Sequence, residues 1–209
     1  MNQLEPLARL IVIPLALMLL PFSPSRVQNE PGLKITTEEY QIYSSLIKQF
    51  YYKPEFHMIV IVDRTFTYDP RRGDDDEPWR DKPKKKRDVA IDPSTLADYG
   101  LKNTDHWVLD KDAFKLPVKC ELVTSPDLYA IFHGREMGQV EWLEFFKRFQ
   151  DAAGFLMISR IGFNTDHNQA MLYMGSRCGP LCWDLHFLLL EKVGAEWKIK
   201  KQLRNDGSG

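Results

Sequence analysis

Between Phe155 and Leu203 apolar runs alternate with turn-forming clusters, and this rhythm constrains the fold more than any other feature of the chain. Leu156 to Phe163, Gln169 to Gly175, Trp183 to Lys192 and Glu196 to Leu203 are each of strand length. They are separated by Asn164-Thr165-Asp166-His167-Asn168, Cys178-Gly179-Pro180-Leu181-Cys182 and Val193-Gly194-Ala195. Strands joined by such short turns pair with their sequence neighbours, so the segment predicts a four-stranded antiparallel meander. In the last strand Trp197, Ile199, Lys201 and Leu203 oppose Lys198, Lys200 and Gln202, giving the apolar and basic faces of an exposed or edge strand.

Upstream the period changes. Thr36-Thr37-Glu38-Glu39 has the form of a capping box, in which Thr36 accepts from the backbone at Glu39 while Glu39 reaches back. Tyr40, Tyr43, Leu46, Ile47 and Phe50 then recur at helical spacing until Pro54 stops the helix. Met58 to Val62 is continuously apolar and β-branched, the pattern of a central strand covered on both faces. Asp92 as N-cap, Pro93 at the first turn and Gly100 as terminator frame a second helix, and Ser125-Pro126 to His133-Gly134 repeats that grammar. Between them Val118, Cys120 and Leu122 alternate with Lys119 and Glu121, a half-buried strand with Cys120 facing inward. A further helix carries Val140, Trp142, Leu143, Phe146 and Phe149.

Helices ahead of an antiparallel sheet define an α+β fold, here N-terminal helices and one central strand packed on the C-terminal four-stranded meander. With 209 residues, 44% of them hydrophobic, the chain fits one domain, expected over 37–206. Inside it, residues 69–88 hold Arg71-Arg72, Asp74-Asp75-Asp76-Glu77 and Lys84-Lys85-Lys86-Arg87 with almost nothing apolar, so a charged, flexible loop is expected there. Its charges read as a solvated, self-neutralising face, with an acidic cation site or a basic docking strip as the sharper alternatives. The alternating oxygen ligands and glycine turn of a calcium loop are absent from it.

The first residues imply export. Arg9 precedes the apolar run Leu10 to Leu20, which has the length of a signal-peptide core and is short for a membrane span of about 20 residues. Ser23-Pro24-Ser25 offers small residues before a cleavage at Arg26, so we read 1–25 as a signal peptide and 26–36 as a polar linker. The expected location is secreted or periplasmic, with a membrane tether through an uncleaved segment as the alternative. The 28 basic and 29 acidic residues nearly cancel, which removes the global field that nucleic-acid binding uses.

Cys178 and Cys182 flank a predicted hairpin turn, where an oxidising compartment would staple them as a disulfide. A redox pair normally has two intervening residues at a helix start, and here three sit in a sheet turn. Zinc at Cys178, Cys182 and His186 fails on a strand, because about 3.3 Å per residue puts His186 some 13 Å from Cys182. The five histidines show no metal spacing, and His133 and His167 fall where helix-end and turn residues fall. Asp63 and Arg64 end an apolar strand, so they either line a pocket mouth or mark the strand leaving the core. His186 shares a strand face with Asp184, Leu188 and Leu190. Asp63, Arg64 and His186 are the pocket candidates. No residue is assigned a catalytic role, and no metal or cofactor motif is found; nucleophile elbow, zinc helix, phosphate loop and dinucleotide fingerprint are all absent.

Ser159-Arg160-Ile161-Gly162-Phe163-Asn164, Gln169-Ala170-Met171-Leu172-Tyr173, Cys178-Gly179-Pro180-Leu181-Cys182, Leu188 to Lys192 and Trp197-Lys198-Ile199 together resemble a family of uncharacterised exported bacterial proteins. The resemblance extends more weakly through Tyr43 to Asp63, and the paired-cysteine turn is its most specific element. It implies export and no particular activity. The chain departs from the family pattern after the second cysteine, where Trp183-Asp184-Leu185 replaces glycines, and at the tail Arg204-Asn205-Asp206, which lacks a tryptophan strand end. Two functions fit these residues. One is a noncatalytic extracytoplasmic binding or interaction module for a protein or small ligand. The other is a small-molecule enzyme of hydrolase or isomerase type, with a cavity between the first helix and the curved sheet and Asp63 or His186 as acid or base.

Overall fold

The structure, a computed structural model, describes residues 34–67, 90–132 and 138–208, with the backbone alone for 204–208. The expected signal peptide 1–25, most of the linker 26–36, the charged loop 69–88 and His133 lie outside the described residues.

Helix α1 (Thr37–Phe50) starts at the expected capping box, Thr36 Oγ1 accepting from Glu39 N at 3.2 Å while Thr36 N donates to Glu39 Oε2 at 2.8 Å. Strand β1 (Met58–Val62) follows, then helix α2 (Pro93–Lys102), capped by Asp92. Gly100 does not end α2 as its composition suggests; the helix runs on to Lys102, with Asn103 as C-cap. Strand β2 (Lys119–Val123) leads into helices α3 (Ser125–Phe132) and α4 (Gln139–Arg148). On α4 the buried residues are Trp142 and Phe145, followed by Phe149, while Val140 and Leu143 are exposed. The helix is therefore rotated from the apolar stripe that the sequence suggests, because the aromatic rings of Phe132 and Phe155 pack on Trp142 and Phe145.

The remaining strands are β3 (Ala152–Ile158), β4 (Gly162–Phe163), β5 (Gln169–Arg177), β6 (Trp183–Val193) and β7 (Glu196–Ser208). All seven belong to one mixed sheet in the order β2-β1-β3-β5-β6-β7, with the short β4 beside β5. The fold is α+β, but its sheet differs from the expected one. The C-terminal antiparallel strands are not a separate meander; they continue into a parallel half, since β1 pairs in parallel with both β2 and β3. The sequence pattern of a doubly covered strand anticipates this for β1, whereas the half-buried β2 reads alike in either pairing sense.

Helices cover both faces. On one face α1 packs Tyr43 and Ile47 against Ile61, Ile158, Leu172 and Leu188, all with at most 1% exposure. Burying each such side chain contributes roughly 1.5–3 kcal/mol. The other face carries two smaller cores, one of Val60, Phe155, Trp142 and Phe145 and one of Tyr99, Met171, Phe187 and Leu189.

Three irregularities set local geometry. In β3, Met58 faces Ala152 but Val60 faces Phe155, so one extra residue bulges at Gly154. Its φ of 142° is open to glycine, and a Cβ there would lie 2.8 Å from Cys178 Cα. The run Leu156 to Phe163, expected as one strand, breaks at Ser159-Arg160-Ile161. Last, β7 shifts register twice against β6, which ends its simple alternation: Trp197 and Ile199 join the α1-side core while Leu203 joins the opposite one.

Candidate functional site

Asp63 is the first residue beyond β1, still held to β2 by its N–H donating to Val123 O at 2.9 Å, while its carbonyl accepts from Leu109 N at 2.8 Å. It lies at the carboxyl ends of two adjacent parallel strands, the position where open α/β sheets gather ligand-binding loops. The side chain is 19% exposed, its Oδ1 is buried without a hydrogen-bond partner, and its Oδ2 stands 4.0 Å from Arg64 Nε. Arg64, half exposed, is fixed through a backbone bridge to Val108.

A cleft of about 450 Å³ opens here, lined by Asp63, Arg64, His106, Thr124, Ser125 and Pro126. His106 Nδ1 is 2.8 Å from Thr65 O, and a carbonyl only accepts, so Nδ1 carries the hydrogen and Nε2 is the nitrogen with a free lone pair in the neutral ring. Thr124 is committed to the start of α3, donating to Asp127 Oδ2 at 2.6 Å and accepting from Asp127 N at 3.1 Å. The cleft therefore combines a carboxylate with one unsatisfied buried oxygen, a half-exposed guanidinium loosely paired with that carboxylate, and an imidazole. Such a set can bind a small polar molecule by charge-assisted hydrogen bonds.

His186 is elsewhere. It projects from β6 toward α1, stacked on Phe50 with centroids 4.3 Å apart, and its Nε2 lies 2.7 Å from Asp184 Oδ2. Strands β3 and β5 separate β1 from β6, so about three strand spacings, roughly 14 Å, stand between Asp63 and His186. The two pocket candidates therefore do not converge in one cavity. Cys178 and Cys182 are disulfide-bonded across the β5–β6 turn, with Cα atoms 5.0 Å apart. Among the described residues no three His, Cys, Asp or Glu side chains stand together as a metal site.

A second depression of about 460 Å³ is lined by Glu38, Asp98, Lys102, Asn164 and His167 among others. Its charges are used internally. Asp98 accepts from Lys102 and from Phe163 N, both at 2.7 Å, and Glu38 accepts from His167 at 2.6 Å, Trp197 at 2.8 Å and Lys192 at 2.9 Å. Burial alone would raise the Glu38 carboxyl, but these three donors outweigh it and hold it down to about 2. The cluster ties α1 to the β4–β5 turn and the β6–β7 hairpin, which makes it a clamp more than a docking place.

Three residues of consequence escape the sequence pattern. His106 sits in a stretch without periodicity, and nothing in its neighbours marks it as lining a cleft. Asn103 follows a helix like any C-cap, yet it is fully buried and exchanges hydrogen bonds with both backbone groups of Arg160. Arg160 could have been found, since a lone charge inside the apolar run Leu156 to Phe163 demands a buried partner.

Comparison with protein-family models, with curated proteins and with solved structures found no match.

Proposed function

We propose that this protein is an exported, noncatalytic binding module that works outside the cytoplasm and takes a small polar ligand in the cleft at Asp63. The observation that carries the reading is the buried Asp63 Oδ1, which has no partner in a cleft otherwise furnished with Arg64 and His106. A buried, unsatisfied carboxylate oxygen is costly to folding, and a ligand donor in the cleft would complete it. The separation of Asp63 from His186 favours binding over the acid–base alternative.

Export is supported by the apolar leader with small residues before Arg26, by the resemblance to exported bacterial proteins, and by the Cys178–Cys182 disulfide, a bond that persists in oxidising compartments. No helix among the described residues is long and apolar enough to cross a membrane. Intact mass of the protein from its native envelope fraction tests this half of the proposal. Loss of the leader, with two thiols that appear only after reduction, is expected; a full-length mass with three free thiols overturns it.

The binding half is tested by screening polar metabolites against isotope-labelled protein. Ligand-induced shifts are expected at Asp63, Arg64, His106 and Ser125, with affinity reduced about tenfold or more in Asp63→Asn, the loss of one charge-assisted hydrogen bond. Binding that ignores Asp63→Asn, or that maps away from the cleft, counts against the assignment.

A further inference from the structure

The Asp63 cleft has room for far more than solvent, since its volume is about 450 Å³ and one water takes up about 30 Å³. With His106 neutral, Asp63 and Arg64 are the two charged residues of its lining, one of each sign and adjacent in the chain. Arg64 Nε stands 4.0 Å from Asp63 Oδ2, beyond hydrogen-bonding reach. Among the described residues neither side chain makes a hydrogen bond elsewhere, so both keep that capacity for a third group. The backbone holds the pair in place. Thr65 N donates to Trp107 O at 2.9 Å and Leu109 N to Asp63 O at 2.8 Å, a short antiparallel ladder that brings His106 alongside. His106 spends Nδ1 on Thr65 O at 2.8 Å, which leaves Nε2 as an acceptor in the neutral ring.

A ligand that is only a cation suits Asp63 and is repelled by Arg64, and one that is only an anion meets the reverse. A neutral polyol leaves both charges without a charged counterpart. A zwitterionic α-amino acid answers both at once. Its ammonium brings three donors, enough for Asp63 and His106 Nε2 together, and its carboxylate accepts from Arg64 and from the exposed Ser125 hydroxyl. The two ligand charges sit on one carbon, which matches the close spacing of Asp63 and Arg64. Pro126 is the one wholly apolar residue of the lining, so nothing there selects a large hydrophobic side chain. We infer that the Asp63 cleft takes an α-amino acid with a small or polar side chain, its ammonium at Asp63 and its carboxylate at Arg64. This inference rests on the reading of the cleft as a binding site and adds the class of its ligand.

L-Alanine, L-serine and L-glutamine are the probes, each titrated into 15N-labelled protein. Ethylamine and propionate, which are alanine without its carboxylate and without its ammonium, are the controls, together with D-glucose as the neutral polyol. At least one amino acid is expected to shift the amides of Asp63, Arg64 and His106 saturably, with all three controls at least about tenfold weaker. In Arg64→Gln, changed at a half-exposed position, the advantage of that amino acid over ethylamine is expected to vanish. A control that binds the wild-type cleft as tightly as the amino acids overturns the amino-acid assignment and leaves the cleft a binding site. So does an advantage over ethylamine that survives Arg64→Gln, or another polar metabolite that binds there while all three amino acids fail. A cleft that no polar metabolite shifts overturns both readings.

Discussion

Arg160 faces Glu39 with both side chains sealed from solvent, Nε 2.8 Å from Oε1 and Nη2 3.1 Å from Oε2. The arrangement is over-determined. Glu39 also accepts from Thr36 N and Ile161 N, the guanidinium donates to Lys34 O, and its face lies 4.9 Å from the Trp107 ring. One ion pair therefore locks the start of α1 to the break between β3 and β4. Replacing one partner leaves the other charge buried and uncompensated, at a cost of about 3–5 kcal/mol. Arg160→Met should lower the unfolding free energy by that amount in a denaturant titration, and adding Glu39→Gln should restore part of it. An Arg160→Met protein that unfolds with the wild-type midpoint would show the pair to be energetically idle.

Glu38 supplies a pH test of the neighbouring clamp. Its carboxyl lies near 2 in the folded chain against an ordinary value of 4.5, so the folded state holds its proton less tightly than the unfolded state does. The stabilisation is complete above about pH 4.5 and fades as the pH falls toward 2. With the side chain about a third exposed, solvent screening reduces its size to about 1–2 kcal/mol. Glu38→Gln should flatten that part of the acid-unfolding curve, read by circular dichroism. An unchanged slope would place the acid sensitivity elsewhere.

The disulfide closes a loop of five residues, Cys178 to Cys182. In the chain-entropy model a loop that short contributes about 2 kcal/mol. The Cys178→Ser, Cys182→Ser double variant should therefore fold and lose about that much in chemical denaturation. Failure to fold at all would show the staple to be required for assembly of the β5–β6 hairpin.

Cys120 is the free cysteine on β2, packed against the α1-side core. Burial, and then the neighbouring Glu121, pushes its thiol up to about 11. At pH 8 its thiolate fraction is on the order of a hundredfold below that of a solvated cysteine, so iodoacetamide should label it slowly and with a rate that climbs toward pH 11. Rapid labelling at pH 8, followed by peptide mass, would indicate that β2 opens readily.

The residues most legible in advance were those whose role is local. Thr36 and Glu39 form their capping box, Asp92 caps α2, and β1 is covered on both faces, because helix ends and strand burial leave marks within a few positions. Strand partners leave no such mark. Nothing within Lys119–Val123 says that it runs parallel to Met58–Val62, about sixty residues earlier, since pairing sense is decided by what covers the faces. The break at Ser159-Arg160-Ile161 was hidden for a related reason. Ile158 faces Met174 and Gly162 faces Met171, four steps against three, and the extra residue allows Arg160 to turn inward to Glu39, 121 residues away. Asp63 was visible as a charge ending an apolar strand, and His186 as a polar residue on an apolar face. That they lie apart follows from the strand order alone.

The parallel half of the sheet also determines when the molecule can assemble. β5, β6 and β7 meet through short turns, but β1 must wait for β3, which lies some ninety residues further along the chain. Closing so long a loop before its contacts exist is entropically unfavourable, so the inner edge of β1 is covered late. During synthesis from the N-terminus β1 is thus among the last of the described strands to find both neighbours, and the completed C-terminal hairpins serve as its template. Pulse-labelled hydrogen exchange during refolding should protect the amides of β5 and β6 before those of Ile59 to Ile61.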